Sequence, residues 1–260
     1  MKYGDIEVQR DGYIALVEIQ RPPNNFFDVN LVNDMADALD ELDAEVNMRA
    51  YVLCAQGKHF CAGANFGDPA RNAARPVRFD GASNPLYAAA VRLFSCRKPI
   101  IAAIQGAAVG GGFGLAVMAD FRVVCPEARF TANFVKLGFH PGFGLTHTLP
   151  NVIGQQRANL LFMTGRRIDG ETAHAWGLAD VLTDQASLRA EAVRLGSEIA
   201  ENAPLAVQSV RATMRQGLPE KVKDATDWEN LEQARLRETE DHKEGVRAVA
   251  ERRPGNFVGR

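Results

Sequence analysis

The chain has 260 residues, 46 % hydrophobic, 24 % charged and 8 % aromatic, the mix of an ordinary globular protein with length enough for one large core. Small stapled scaffolds, collagen-like chains and disordered chains are excluded. Lys and Arg number 30 against 32 Asp and Glu, so a net charge of −2 leaves no basic footprint for nucleic acid or an anionic membrane.

Residues 6–9 and 13–19 alternate in strand fashion on either side of Asp11-Gly12, which predicts a β-hairpin. After the breaker stretch 21–25, apolar residues at Leu31, Val32, Met35, Leu39, Leu42 and Val46 fall at the spacing of an amphipathic helix. Residues 50–54 read as a buried strand. A polar, Gly- and Arg-rich loop from 56 to about 84 is too long for a connector and is a candidate lid or binding loop. A helix at 85–94, a buried strand at 99–104, a Gly-rich turn at 106–114, a short apolar segment and a strand at 121–125 follow. This βαβ rhythm argues for an α/β layered core.

Beyond Gly142 the pattern turns helical, at 154–163, 170–177, 185–202 and 206–216, and then in a charged stretch from 220 to about 252. The polar positions of Trp228-Glu229-Asn230-Leu231-Glu232 read as a solvated helix face, or as one that covers a neighbouring subunit. Cys54, Cys61, Cys96 and Cys125 form no CxxC pair and no readable disulfide framework, so a reducing cytoplasm is the simplest home. The acidic start around Asp5 and Glu7 lacks the order of a signal peptide, and no apolar run nears the roughly 20 residues that span a bilayer. A soluble cytoplasmic protein is the expectation.

Two glycine turns follow buried strands: His59-Phe60-Cys61-Ala62-Gly63-Ala64-Asn65 and Gly106-Ala107-Ala108-Val109-Gly110-Gly111-Gly112. Small residues there let a ligand approach the backbone, and a turn entering a helix offers free N–H groups to an anion or a developing oxyanion. Tight packing of turn on strand is the better explanation of either one alone.

Together the two turns say more. The runs FCAGAN (60–65), IAAIQGAAVGGGFGLAVMADFRV (101–123), FTANFVKLGFHPGFG (130–144), GRRIDGETAHAWGLADVL (165–182) and RRPGNFVGR (252–260) resemble the crotonase, or enoyl-CoA hydratase/isomerase, superfamily. The resemblance spans essentially the whole chain. It implies an α/β crotonase-like spiral of ββα units over residues 1–200, holding an acyl-CoA site, and a C-terminal helical trimerisation region over 201–260. It further implies a homotrimer or a hexamer built as a dimer of trimers, with coenzyme A as part of the substrate and no separate cofactor.

By the same resemblance, the N–H groups of Ala64 and Gly111 form the oxyanion hole for the thioester oxygen, where enolate and tetrahedral intermediates carry negative charge. Phe26, Cys61, Ala62, Asn65, Phe66, Gly110, Phe134 and Phe143 would bind substrate, the stretches 25–27 and 61–66 taking the adenine and pantetheine. Arg21, Lys58 or Arg253 could meet the phosphates, and the sequence does not choose among them.

The chain departs from its family where a hydratase carries two glutamates, for those positions hold Gly114 and Phe134, which transfer no proton. The Pro141-Gly142-Phe143-Gly144 turn also lacks a carboxylate. His140 is the nearby titratable residue, as an acid or base or simply packed beside the loop. Asp68, Asp80, Tyr87, Lys136, Arg97 and Lys98 are weaker candidates, while Asp120 and Glu171 read as structural. No HExxH, GxSxG or GxxxxGK[ST] motif occurs, and a metal site has little support. The expected activity is a divergent lyase, isomerase or hydrolase reaction on an acyl-CoA through a thioester enolate. The alternatives are a non-catalytic acyl-CoA-binding protein and, last, a structural assembly partner.

Overall fold

The computed structural model describes residues 1–64 and 84–260. Most of the long loop read from the sequence, with Asn65, Phe66, Asp68 and Asp80, lies outside the described residues.

The chain opens with β1 (Lys2–Tyr3), β2 (Ile6–Asp11) and β3 (Ile14–Ile19), the last two forming the expected hairpin across Gly12. Helix α1 (Val29–Ala44) starts where the Asp28 carboxylate accepts the Leu31 N–H at 2.8 Å. It buries Leu31, Val32, Met35, Leu39 and Leu42, as the apolar spacing predicts, whereas Val46 falls beyond the helix end and is 91 % exposed. Strand β4 (Ala50–Ala55), helix α2 (Pro85–Phe94), strand β5 (Ile100–Ile104), the short strand β6 (Ala107–Val109), helix α3 (Gly111–Met118) and strand β7 (Phe121–Val124) complete the first half.

The main sheet has the order β1-β2-β3-β4-β5-β7-β10, where β10 is Val181–Leu182, and it is parallel from β3 onward. A parallel sheet is covered on both faces, which is why β4 and β5 read as unbroken apolar runs. Tyr51, Leu53, Ile100 and Ala102 enter the large core with α1 and α2. Val52, Cys54, Ile101 and Ala103 enter a smaller one closed by Leu188 and Ala192 of α7 (Leu188–Ala200).

A second sheet, unforeseen from sequence, joins β6 to β8 (Arg129–Thr131) and β9 (Arg167–Asp169). Three-residue strands carry no readable alternation, and only the pairing reveals them. Between β8 and β9 lie a 3-10 helix (Asn133–Leu137), α4 (Leu145–Ile153), which the sequence reading does not separate, and α5 (Gln155–Thr164). After β9 come α6 (Gly170–Ala175), capped by Asp169, and, beyond α7, α8 (Pro204–Met214), α9 (Leu218–Arg237) and α10 (Glu240–Ala250). The charged stretch read as one is therefore two helices, divided where Thr239 caps α10 through the His242 N–H.

Helix α8 is fastened to the core by charge. Asp120 accepts Arg211 Nε and Arg215 Nη1, each at 2.9 Å, and also the Ile100 N–H at 2.8 Å. Helix α9 packs on α2 and α4, and α10 on the 3-10 segment. All four cysteines are free and buried, and no helix among the described residues is long and apolar enough to cross a membrane.

Candidate active site

The two glycine turns are laced together just beyond the ends of β4 and β5. The Cys61 N–H donates to Ala107 O at 2.9 Å and the Val109 N–H to Cys61 O at 3.0 Å, so the first turn lies along β6. On its other side the Ala62 N–H donates to Asn24 O and the Phe27 N–H to Gly63 O. The buried Asn25 amide holds the approach in shape by donating to Gln56 O at 2.8 Å and His59 O at 2.6 Å.

Gly63 sits at φ +84°, and a Cβ there would lie 2.7 Å from Val109 O and 4.0 Å from the Gly111 nitrogen. Only glycine allows the two turns to approach this closely. Gly110, at φ +56°, anchors the second turn by donating its N–H to Thr131 O at 2.9 Å. Gly111 then opens α3, where an N–H has no carbonyl one turn back to receive it. Among the described residues neither the Ala64 nor the Gly111 N–H has a backbone acceptor.

Both residues line one cavity of about 380 Å³. Phe26, Phe27, Val109, Phe134, Leu137, Phe139 and Phe143 make it largely apolar; Ala62 and Gly110 also reach it. Helix α9 closes one wall with Gln233 and Arg237. The Tyr87 hydroxyl donates to Gln233 Oε1 at 2.6 Å, and Gln233 Nε2 donates to the carbonyls of His140 and Pro141 at 3.0 and 3.2 Å. Burial, with the charge of Glu229 behind it, pushes the Tyr87 phenol above its ordinary value, so it stays protonated.

The two departures from the family pattern are apolar in space as well as in sequence. A Cβ on Gly114 would lie 2.8 Å from Phe143 Cβ, and Phe143, buried at φ +64°, packs tilted on Phe27 with ring centroids 5.6 Å apart. Phe134 lies over Gly110. No carboxylate lines the cavity among the described residues.

Other expected site residues fall elsewhere. Cys61 does not reach the cavity; it is fully buried as a strand bridge, and burial pushes its thiol up to about 12. His140 is not on the cavity wall either: its Nδ1 faces Pro141 O at 2.9 Å. Lys98 is buried at the end of α1, donating to Leu42 O and Glu45 O, and Arg97 is tied to Asp43. Lys136 is exposed against Gly165, and Glu171 lies in the first turn of α6, as expected, behind the Asp169 cap. Arg21 is paired with Asp5 and Asp28, Arg253 with Glu244 and Glu251, and Lys58 is exposed.

The solvated-face reading of residues 228–232 is corrected at Glu229. Its side chain is 0 % exposed, while Trp228 and Leu231 are 63 % and 62 % exposed. The carboxylate accepts the Gly144 N–H at 2.8 Å, the Thr146 N–H at 3.1 Å and the Thr146 hydroxyl at 2.6 Å, capping α4 from α9. Burial raises it to about 7 against these stabilising bonds. No helical periodicity marks an acid that caps another helix.

A parallel sheet that delivers two small-residue turns to an apolar cavity beyond its strand ends defines an α/β ligand-binding class. The family model for enoyl-CoA hydratase/isomerase matches residues 9–260. A short-chain-enoyl-CoA hydratase from Clostridium acetobutylicum is 29 % identical over 256 residues, 97 % of each chain. A carnitinyl-CoA dehydratase from Proteus mirabilis is 32 % identical over 254 residues, 96 % of each chain. The crystal structure of an enoyl-CoA hydratase/isomerase from Pseudoalteromonas atlantica matches with a TM-score of 0.86 at 26 % identity, covering 98 % of this chain and 100 % of that one. The chain belongs to the enoyl-CoA hydratase/isomerase family of acyl-CoA enzymes, in the crotonase superfamily.

Proposed function

We propose that the protein binds an acyl-CoA thioester with its carbonyl oxygen between the Ala64 and Gly111 N–H groups and stabilises the enolate that forms there. Two such donors contribute about 3–4 kcal/mol each to the transition state. The observation that carries this reading is the pair of N–H groups at one apolar cavity that have no backbone acceptor among the described residues. The acyl group runs between Phe134 and Phe143, and the pantetheine runs past Phe26 and Ala62.

The reaction is a lyase or isomerase step other than hydration by a carboxylate pair. Gly114 and Phe134 cannot hold or activate a water, and the wall offers Tyr87, kept protonated, as the proton donor in preference to His140. A non-catalytic acyl-CoA binder is the second reading, favoured by the way Phe143 fills the space beside Gly114.

Purified protein is mixed with crotonyl-CoA and a panel of acyl-CoAs, with enoyl absorbance, product masses and calorimetry followed on the same samples. Binding without crotonyl-CoA hydration is expected. Brisk hydration would sink the exclusion of the two-carboxylate mechanism, and binding with no product from any thioester would leave the pure binder.

A homotrimer, or a dimer of trimers, accords with the apolar side chains that the last helices expose, among them Leu205, Met214, Trp228 and Leu231. A reducing cytoplasmic setting accords with four free, buried cysteines. Light scattering on the purified chain reads the assembly directly.

A further inference from the structure

We propose that the acyl group this cavity accepts ends in a carboxylate, held by the guanidinium of Arg237. The inference rests on the acyl-CoA reading above and names its substrate class.

Arg237 is the one charged side chain lining the cavity among the described residues; its polar companions Asn84, Tyr87, Asn133 and Gln233 are neutral. Of the neighbouring arginines, Arg235 pairs with Glu232, and Arg247 and Arg253 pair with Glu244. Arg237 has no ion-pair partner among the described residues. It lies instead 5.6 Å over the ring of Phe139, itself a cavity residue. Attraction between a cation and a ring holds the guanidinium at the wall, and its hydrogen-bond fork has no partner among the described residues.

A cation that has no ion-pair partner among the described residues, on a cavity wall whose other described lining residues are neutral and mostly apolar, selects a ligand that brings an anion to that wall. Arginine presents a planar fork that matches a carboxylate with two parallel bonds. Arg237 stands one helical turn beyond Gln233, on the same face of α9, and Gln233 is bonded to Tyr87 beside Gly142. It therefore shares its wall with the Gly142-Phe143 turn, where the acyl end is placed. The Phe26 and Ala62 side assigned to pantetheine lies on other elements. A CoA phosphate is the other anion that could reach a guanidinium, and the experiment separates the two.

Calorimetry with CoA, butyryl-CoA, succinyl-CoA, glutaryl-CoA and adipyl-CoA is run on the full chain and on Arg237→Gln, an exposed helix position where glutamine keeps the helix. At least one dicarboxylyl thioester is expected to bind about tenfold tighter than butyryl-CoA, the size of a charge-assisted pair. Arg237→Gln should erase that preference and leave butyryl-CoA and CoA unchanged. Equal weakening of every ligand, CoA included, would assign Arg237 to a phosphate and overturn the proposal. Indifference of all thioesters to the substitution would overturn it as well. Failure of every thioester to bind, neutral ones included, would remove the acyl-CoA reading itself and the proposal with it.

Discussion

Phe143 occupies the space that a side chain at Gly114 would need: a Cβ built on Gly114 comes 2.8 Å from both Cβ and Cδ1 of Phe143. The two positions are coupled, because the phenylalanine is buried in a left-handed backbone conformation and braced on Phe27. A carboxylate cannot be restored at 114 without moving an aromatic ring out of the core.

Gly114→Glu alone should therefore unfold the α3 region at markedly lower temperature, since overpacking and an unpaired buried acid add. Gly114→Glu combined with Phe143→Ala should recover part of the loss. The expected coupling is about 1–3 kcal/mol, read from denaturant melts of the two single variants and the double variant. Simple additivity would mean that the two residues do not compete for space.

Glu229 makes stability depend on pH. Burial raises its folded-state value from the ordinary 4.5 of a glutamate to about 7. The folded chain then binds more protons than the unfolded chain between those values, so its contribution is present below 4.5 and lost as pH climbs through 7. The melting temperature should fall between pH 5 and 8, and Glu229→Gln should flatten that slope. Glutamine will also lower stability, because its amide keeps one accepting oxygen and its NH2 must face either the Gly144 N–H or the Thr146 donors. The test is the slope in a pH series of thermal melts; an unchanged slope would assign the titration elsewhere.

Asp120→Asn should loosen α8. Arg211 from a buried position and Arg215 from a half-buried one both bond this carboxylate, and removing its charge leaves two cations with reduced compensation. Breaking a buried pair costs about 3–5 kcal/mol. Chemical denaturation should show a loss of that order, and hydrogen exchange should rise over residues 204–214 before the central strands open.

Gly63→Ala should damage binding more than folding. The positive φ costs about 1–3 kcal/mol for a non-glycine residue, and the added methyl meets Val109 O at 2.7 Å. The turn must retreat from Gly111, carrying Ala64 with it. Acyl-CoA affinity should fall at least about tenfold by calorimetry while the far-ultraviolet circular dichroism spectrum is retained.

What the sequence determined by itself is local. The Asp11-Gly12 hairpin, the apolar stripe of α1, the unbroken runs of β4 and β5 and the two glycine turns each arise from neighbours a few residues apart, where periodicity and backbone freedom suffice. The ordered set of motifs also carried the family, and the absence of carboxylates at 114 and 134 was plain from the residues alone. Tertiary structure decided the rest. Tyr87 finds Gln233 across 146 residues of chain, and Glu229 turns inward to cap a helix 83 to 85 residues away. Cys61 is sealed behind β6, and His140 is turned off the wall that Arg237 occupies. Such placements depend on which surfaces dock, and docking is a balance of burial and long-range partners that no window of sequence contains.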